Sequence, residues 1–126
     1  MERKIINSSD APKPIGPYSQ AVEAGGFVFC SGQIPLDPQT GSLVAGDIQV
    51  QTRRILDNFE AVLKAAGTSL SRTVKLTVYL TRLSDFEALN RVLAEQFPQN
   101  PPARAVVEVS ALPKGATLEM DLIALK

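Results

Sequence analysis

Proline decides where regular structure can form in this chain. Its nine prolines fall into four groups: Pro12, Pro14 and Pro17; Pro35 and Pro38; Pro98, Pro101 and Pro102; and Pro113 alone. A proline has a fixed φ and no N–H to donate, so each group closes off a helix interior or a central strand. None interrupts a periodic segment, and the stretches between them can be read at full length. From Asp47 to Ala66, Ile48, Thr52, Ile55, Leu56, Phe59, Val62, Leu63 and Ala66 recur at helical spacing on one face. Asp47 suits the N-cap and Gly67 the C-terminal stop. A second helix is expected to open at "SDFE", where Ser84 and Glu87 have capping-box spacing, and to run through Phe86, Leu89, Leu93 and Phe97.

Both helices are amphipathic and need an apolar surface to cover. Segments of period two supply it. "VKLTVYL" puts Val74, Leu76, Val78 and Leu80 on one side and Lys75, Thr77 and Tyr79 on the other. "TLEMDLIAL" sets Leu118, Met120, Leu122 and Ala124 against Thr117, Glu119, Asp121, Ile123 and Leu125. "ARAVVEV" sets Ala105, Val107 and Val109 against Arg104, Val106 and Glu108. "AVEA" and "FVFCSG", separated by Gly25-Gly26, read as a hairpin, and "LDPQTG" as a further turn. The expected fold class is α+β: a single mixed β-sheet with two helices packed on one face, spanning residues 1–126 as one domain. The face away from the helices, with ionisable groups beside Tyr79, Val106, Ile123 and Leu125, is too apolar for water and too charged for a monomer core. That pattern predicts a homo-oligomer.

Composition narrows the chemistry. Lys plus Arg is 13 and Asp plus Glu is 13, which leaves no basic footprint for nucleic acid or anionic lipid. No apolar run is long enough to span a bilayer and "MERKIINSSD" has no signal-like core, so a cytoplasmic protein is expected. The chain has no histidine and one cysteine, Cys30, inside "FVFCSG". Histidine triads, Cys–His dyads and nearly all zinc ligand sets are thereby removed, and Cys30 reads as a buried, inert thiol. Carboxylates, arginine, lysine, hydroxyls and backbone groups remain.

Among these, Arg104 stands out because "PPARAVVEV" otherwise reads as a buried strand. A guanidinium there requires an anion to meet it. Alternation also sends Glu119 to the non-helical face, where it is expected to lie near Arg104. Two readings stay open on spacing alone. Arg104 pairs with Glu108 or Glu119 and fixes subunit register, or its planar fork receives the carboxylate of a small acid.

The stretches "IGPYSQA", "SGQIPLDPQTG", "VKLTVYL" and "PPARAVVEVSALPKGATLEM" together resemble the RidA (YjgF) family of reactive-intermediate imine deaminases along essentially the whole chain. The most specific part is Pro102-Ala103-Arg104 followed by Leu118-Glu119-Met120. The resemblance implies a chorismate-mutase-like fold and a homotrimer with sites between adjacent subunits. It implies hydrolysis of 2-imino acids, the products of pyridoxal-phosphate-dependent dehydratases, to 2-keto acids and ammonia, with no metal or cofactor. On the same resemblance Arg104 clamps the substrate carboxylate and Glu119 positions or deprotonates water. Tyr18, Ser31, Gly32 and Asn90 line the pocket. Val106 stands where many imine-hydrolysing relatives carry Cys, a departure that bears on side-chain preference and rate. Asp121 reads as a structural or interface carboxylate. The competing functions are a trimer that captures small carboxylates without turnover, and a ribonuclease or translation inhibitor, against which the zero net charge and missing histidine argue.

Overall fold

The computed structural model of the chain describes residues 2–126. Six strands and two α-helices follow in the order β1 (Arg3–Ile6), β2 (Ala21–Ala24), β3 (Phe27–Gln33), α1 (Ile48–Ala65), β4 (Thr73–Leu80), α2 (Phe86–Gln96), β5 (Ala103–Glu108) and β6 (Leu118–Leu125). The strands form one mixed sheet in the order β1-β2-β3-β6-β4-β5, with β4 and β5 parallel and every other pair antiparallel. The expected α+β class and its one-sided helical layer are what the chain adopts. β1 was not expected; Lys4, Ile5 and Ile6 give only a short β-prone signal before the prolines.

The local chemistry of α1 follows its sequence. The Asp47 carboxylate accepts the Val50 N–H at 3.0 Å. At the other end Gly67 takes a φ of +81°, its N–H bonds Lys64 C=O at 3.0 Å, and the Thr68 N–H bonds Leu63 C=O at 2.9 Å. This double closure satisfies the last carbonyls and needs a residue free to adopt a left-handed backbone. α2 departs from expectation. A 3₁₀ turn, Leu83–Asp85, precedes it, and no Ser84 capping box forms. Instead Glu108 reaches from β5 and accepts the Leu83 N–H at 2.9 Å. A carboxylate from another strand supplies the acceptor that the sequence placed locally.

The core lies between the helices and one sheet face. Ile55, Phe59, Val62 and Leu63 of α1 and Leu89 of α2 are fully buried with Leu76, Val78 and Leu80 of β4 and Leu118, Met120 and Leu122 of β6. Cys30 is buried there as a free thiol, and burial pushes it up to about 12. The other face stays open: Ile5, Phe27, Phe29 and Leu125 are exposed at one end, with Tyr79, Glu119 and Asp121 half-buried at the other. No helix among the described residues is long and apolar enough to cross a membrane.

Candidate active site in two halves

The site residues expected from the sequence divide between two cavities. Tyr18, Ser31, Gly32 and Glu119 line one of about 380 Å³, together with Lys13, Gln20 and Lys114. Arg104 and Asn90 line another of about 630 Å³, whose walls are otherwise apolar: Leu76, Leu93, Phe97 and Pro102 among them.

The first half is built around a bulge. Cys30 pairs with Leu122 and Gln33 with Met120, so Ser31 and Gly32 of β3 both face the single residue Asp121 of β6. An extra residue of this kind bends its strand and re-aims the neighbouring side chains. The Ser31 hydroxyl donates to Ser19 C=O and its N–H to Gln20 C=O at 3.0 Å, which ties the bulge to the segment carrying Tyr18. Gln20, buried, in turn donates to Pro12 C=O at 2.9 Å and to Ser8 C=O at 3.1 Å. The proline-rich segment is thereby held as a wall, with the Tyr18 hydroxyl accepting the Ile15 N–H at 3.1 Å. Gly32 has a steric role: a Cβ on it would stand 2.6 Å from Glu119 Oε2. The carboxylate fills the space that the missing side chain leaves. Burial first, and then the negative charge of Asp121, raise Glu119 above the usual carboxylate range.

The second half corrects the expectation that Arg104 and Glu119 share a face. Leu76 of β4 pairs with Arg104, Val78 with Val106 and Leu80 with Glu108, so Arg104, Val106 and Glu108 lie on the helical side. Glu119 pairs with Tyr79, on the opposite side. Val106, expected beside Tyr79 and Ile123, instead packs against the core. The physical reason is that β5 is an edge strand running parallel to β4 under α2, and Val106 is its contribution to the core. Arg104 is also exposed rather than buried, because little covers the edge. Its Nη1 donates to Asn90 Oδ1, and its guanidinium carbon lies 5.4 Å from the centroid of the Phe86 ring. Phe86 was read only as a core position, although its place four residues before Asn90 puts both on one side of α2. Among the described residues the ion pairs are Arg53–Glu95 and Arg82–Asp85, so neither Glu108 nor Glu119 neutralises Arg104. A neutral amide and an aromatic ring orient the cation and leave most of its five donors free.

Lys13, Gln20 and Lys114 were missed as cavity residues. Their signal was indirect: Gln20 follows Tyr18 by two, and Lys114 sits in "LPKG" with a positive φ of 57°. Which loops meet at the bulge is a tertiary fact.

This α+β domain presents an unneutralised guanidinium on one sheet face and a carboxylate in a cleft on the other. The family model described as Endoribonuclease L-PSP matches residues 8–126. The chain is 52% identical over its full length to a RutC family protein of Pyrococcus abyssi, covering 99% of that protein. It is 41% identical to the human 2-iminobutanoate/2-iminopropanoate deaminase, with 98% of this chain and 90% of the human protein covered. The crystal structure of E. coli TdcF with bound serine superposes with a TM-score of 0.90 at 44% identity, covering 98% of each chain. The chain belongs to the RidA (YjgF) family.

Proposed function

We propose that this protein hydrolyses 2-imino acids to 2-keto acids and ammonia, in sites completed between adjacent copies of a homotrimer. The observation that carries the reading is the division of the site. Arg104 and Glu119 lie two strands apart, roughly 10 Å at the usual strand spacing, and on opposite faces, so one small acid cannot touch both in the same copy. Two copies packed through their open faces and edges bring the Arg104–Asn90 half of one to the Tyr18–Ser31–Glu119 half of the next. The human relative's name, and serine bound to the E. coli relative, favour a small amino-acid-derived substrate.

In the completed site Arg104 holds the substrate carboxylate by two parallel hydrogen bonds, and Asn90 and Phe86 keep the fork from turning. The imine enters protonated on nitrogen; Glu119 accepts a proton from water as the water oxygen bonds to C2, and the C=N π electrons move onto nitrogen to leave a neutral amine. Glu119 then returns the proton to nitrogen, the C–N bond breaks, ammonia leaves, and the C2–OH proton is lost to give the keto acid. A carboxyl raised by burial is a stronger base toward water than an ordinary carboxylate. Tyr18 and Ser31 close the cleft around the water and the leaving nitrogen.

The test generates 2-iminopropanoate in situ with an amino-acid oxidase and follows its decay with wild type, Arg104→Ala and Glu119→Gln. Wild type accelerates decay and both variants lose the effect. Mixing the two variants after joint unfolding and refolding restores activity, to about one quarter of wild type if copies assemble at random, because an intact site then needs one half from each kind of chain. Unaccelerated decay with wild type leaves a carboxylate-binding trimer. Variants that fail to complement place the site within one chain.

A further inference from the structure

The open face carries a second carboxylate and a tyrosine that the reaction above leaves without a role. Tyr79 of β4 is the direct cross-strand partner of Glu119, yet its hydroxyl donates to Asp121 Oδ2 at 2.8 Å. Asp121 lies two residues beyond Glu119 on the same side of β6, about 7 Å away at strand rise, and faces the Ser31–Gly32 bulge. A hydrogen bond from a neutral phenol orients a carboxylate without neutralising it. We infer that Asp121, anchored by Tyr79, is a positioning residue that acts through Glu119: its fixed negative charge helps Glu119 hold the proton taken from water until that proton passes to the nitrogen.

This inference rests on the imine-hydrolysis reading for its kinetic consequence, but not for its electrostatics. The groups that face Glu119 can be named from every side. β4 presents Tyr79 and β6 presents Asp121. The segment before β2 brings Tyr18 and Lys13, the turn before β6 brings Lys114, and β3 offers Ser31, Gly32 and Gln33, none of which titrates. The Lys114 Nζ is occupied by Gly41 C=O at 3.1 Å. In the assembled site Arg104 of the neighbouring protomer joins them. Among the described residues Asp121 is therefore the one anion beside Glu119, set against cations at the cleft rim. Burial and then Asp121 raise Glu119. Tyr79 is raised in turn, first through its bond to Asp121 and last through Glu119.

The test titrates the Glu119 side-chain carboxyl by ¹³C NMR in wild type, Asp121→Asn and Tyr79→Phe, using Glu119→Gln to assign the signal. The pH dependence of kcat/KM on 2-iminopropanoate is measured in parallel. Asp121→Asn moves the Glu119 midpoint down toward the ordinary carboxylate range, and the acid limb of kcat/KM moves down with it. Tyr79→Phe keeps the charge but frees the Asp121 carboxylate to swing away, and shifts both in the same direction by less. An unmoved Glu119 midpoint in Asp121→Asn, or a rate loss uniform across pH, overturns the inference and leaves Asp121 a structural contact. Should Asp121→Asn not fold, a Glu119 midpoint unmoved in Tyr79→Phe overturns it instead. If wild type does not accelerate imine decay, the proposed function fails while the NMR arm still decides this one.

Discussion

Replacing Gly32 by Ala tests the carboxylate's placement with a single methyl group. The added Cβ would meet Glu119 Oε2 at 2.6 Å and Cδ at 3.1 Å, where ordinary contact begins near 3.4 Å. The oxygen therefore retreats by roughly 0.8 Å, a distance over which repulsion between non-bonded atoms rises steeply. The displaced atoms are the free end of a flexible side chain, and Gly32 is not among the residues with a positive φ, so the backbone itself tolerates Ala. Stability should then change little: alanine gains about 0.5–1 kcal/mol over glycine in a regular element, which offsets part of the cost of turning Glu119 aside. Catalysis should not be spared. A misplacement of about 1 Å can cost on the order of 10²-fold when a reacting group must meet a bound substrate.

The expected result is a split between the two properties. Thermal unfolding of Gly32→Ala stays within a few degrees of wild type, while kcat/KM for imine hydrolysis falls about 10- to 100-fold, mostly in kcat, because Arg104 still binds the substrate carboxylate. Wild-type activity in a folded Gly32→Ala protein would show that the position of Glu119 does not limit the reaction. A fall of several kcal/mol in stability would show that the methyl group strikes backbone, and the steric account of the bulge would be wrong.

Arg104→Ala loses charge-assisted hydrogen bonds of about 1.5–3 kcal/mol each, a decrease of roughly tenfold to several hundredfold in kcat/KM, with an unchanged melting temperature since the side chain is exposed. Glu119→Gln should be more stable than wild type at pH 7. The raised carboxyl binds its proton more tightly in the folded chain than in the unfolded one, so stability present below the unfolded value is lost as pH rises through the folded one. The advantage of Gln disappears once the pH falls below the ordinary carboxylate range, which thermal unfolding at acidic and neutral pH will show. Phe59→Ala empties the centre of the core, where the ring is fully buried, and should cost about 3–5 kcal/mol in urea unfolding.

The elements legible in the sequence are those whose determinants are local. α1 declared both ends, because Asp47 and Gly67 act within four residues of what they cap. β4 and β6 declared most of their inner faces, because Leu76, Val78, Leu80, Leu118, Met120 and Leu122 alternate and all are buried; Val74 is the exception, since the register shifts between Thr73 and Lys75 and Thr73 is buried in its place. The Gly25-Gly26 hairpin was equally plain, with both glycines at positive φ between paired strands. The bulge at Ser31–Gly32 and the start of α2 were not legible. The first depends on how β3 meets β6, and the second on Glu108, which arrives from a strand that begins after the helix has ended.

Arg104 shows the same limit at the point where it matters most for function. Counted by residue type, Ala105, Val107 and Val109 make the better core face of β5, and that set would have put the guanidinium beside Glu119. Yet β5 has a strand on one side only, and α2 lies over its other set, receiving Val106 into the core and Arg104 onto Asn90 and Phe86. Tertiary packing overrides alternation where only one or two side chains of a strand are buried. The override has a chemical consequence. A cation and a carboxylate on one face would pair with each other and neutralise the site within a single chain. Held on opposite faces, both stay available, and the proposed hydrolysis would then need a second copy to bring them to the same substrate.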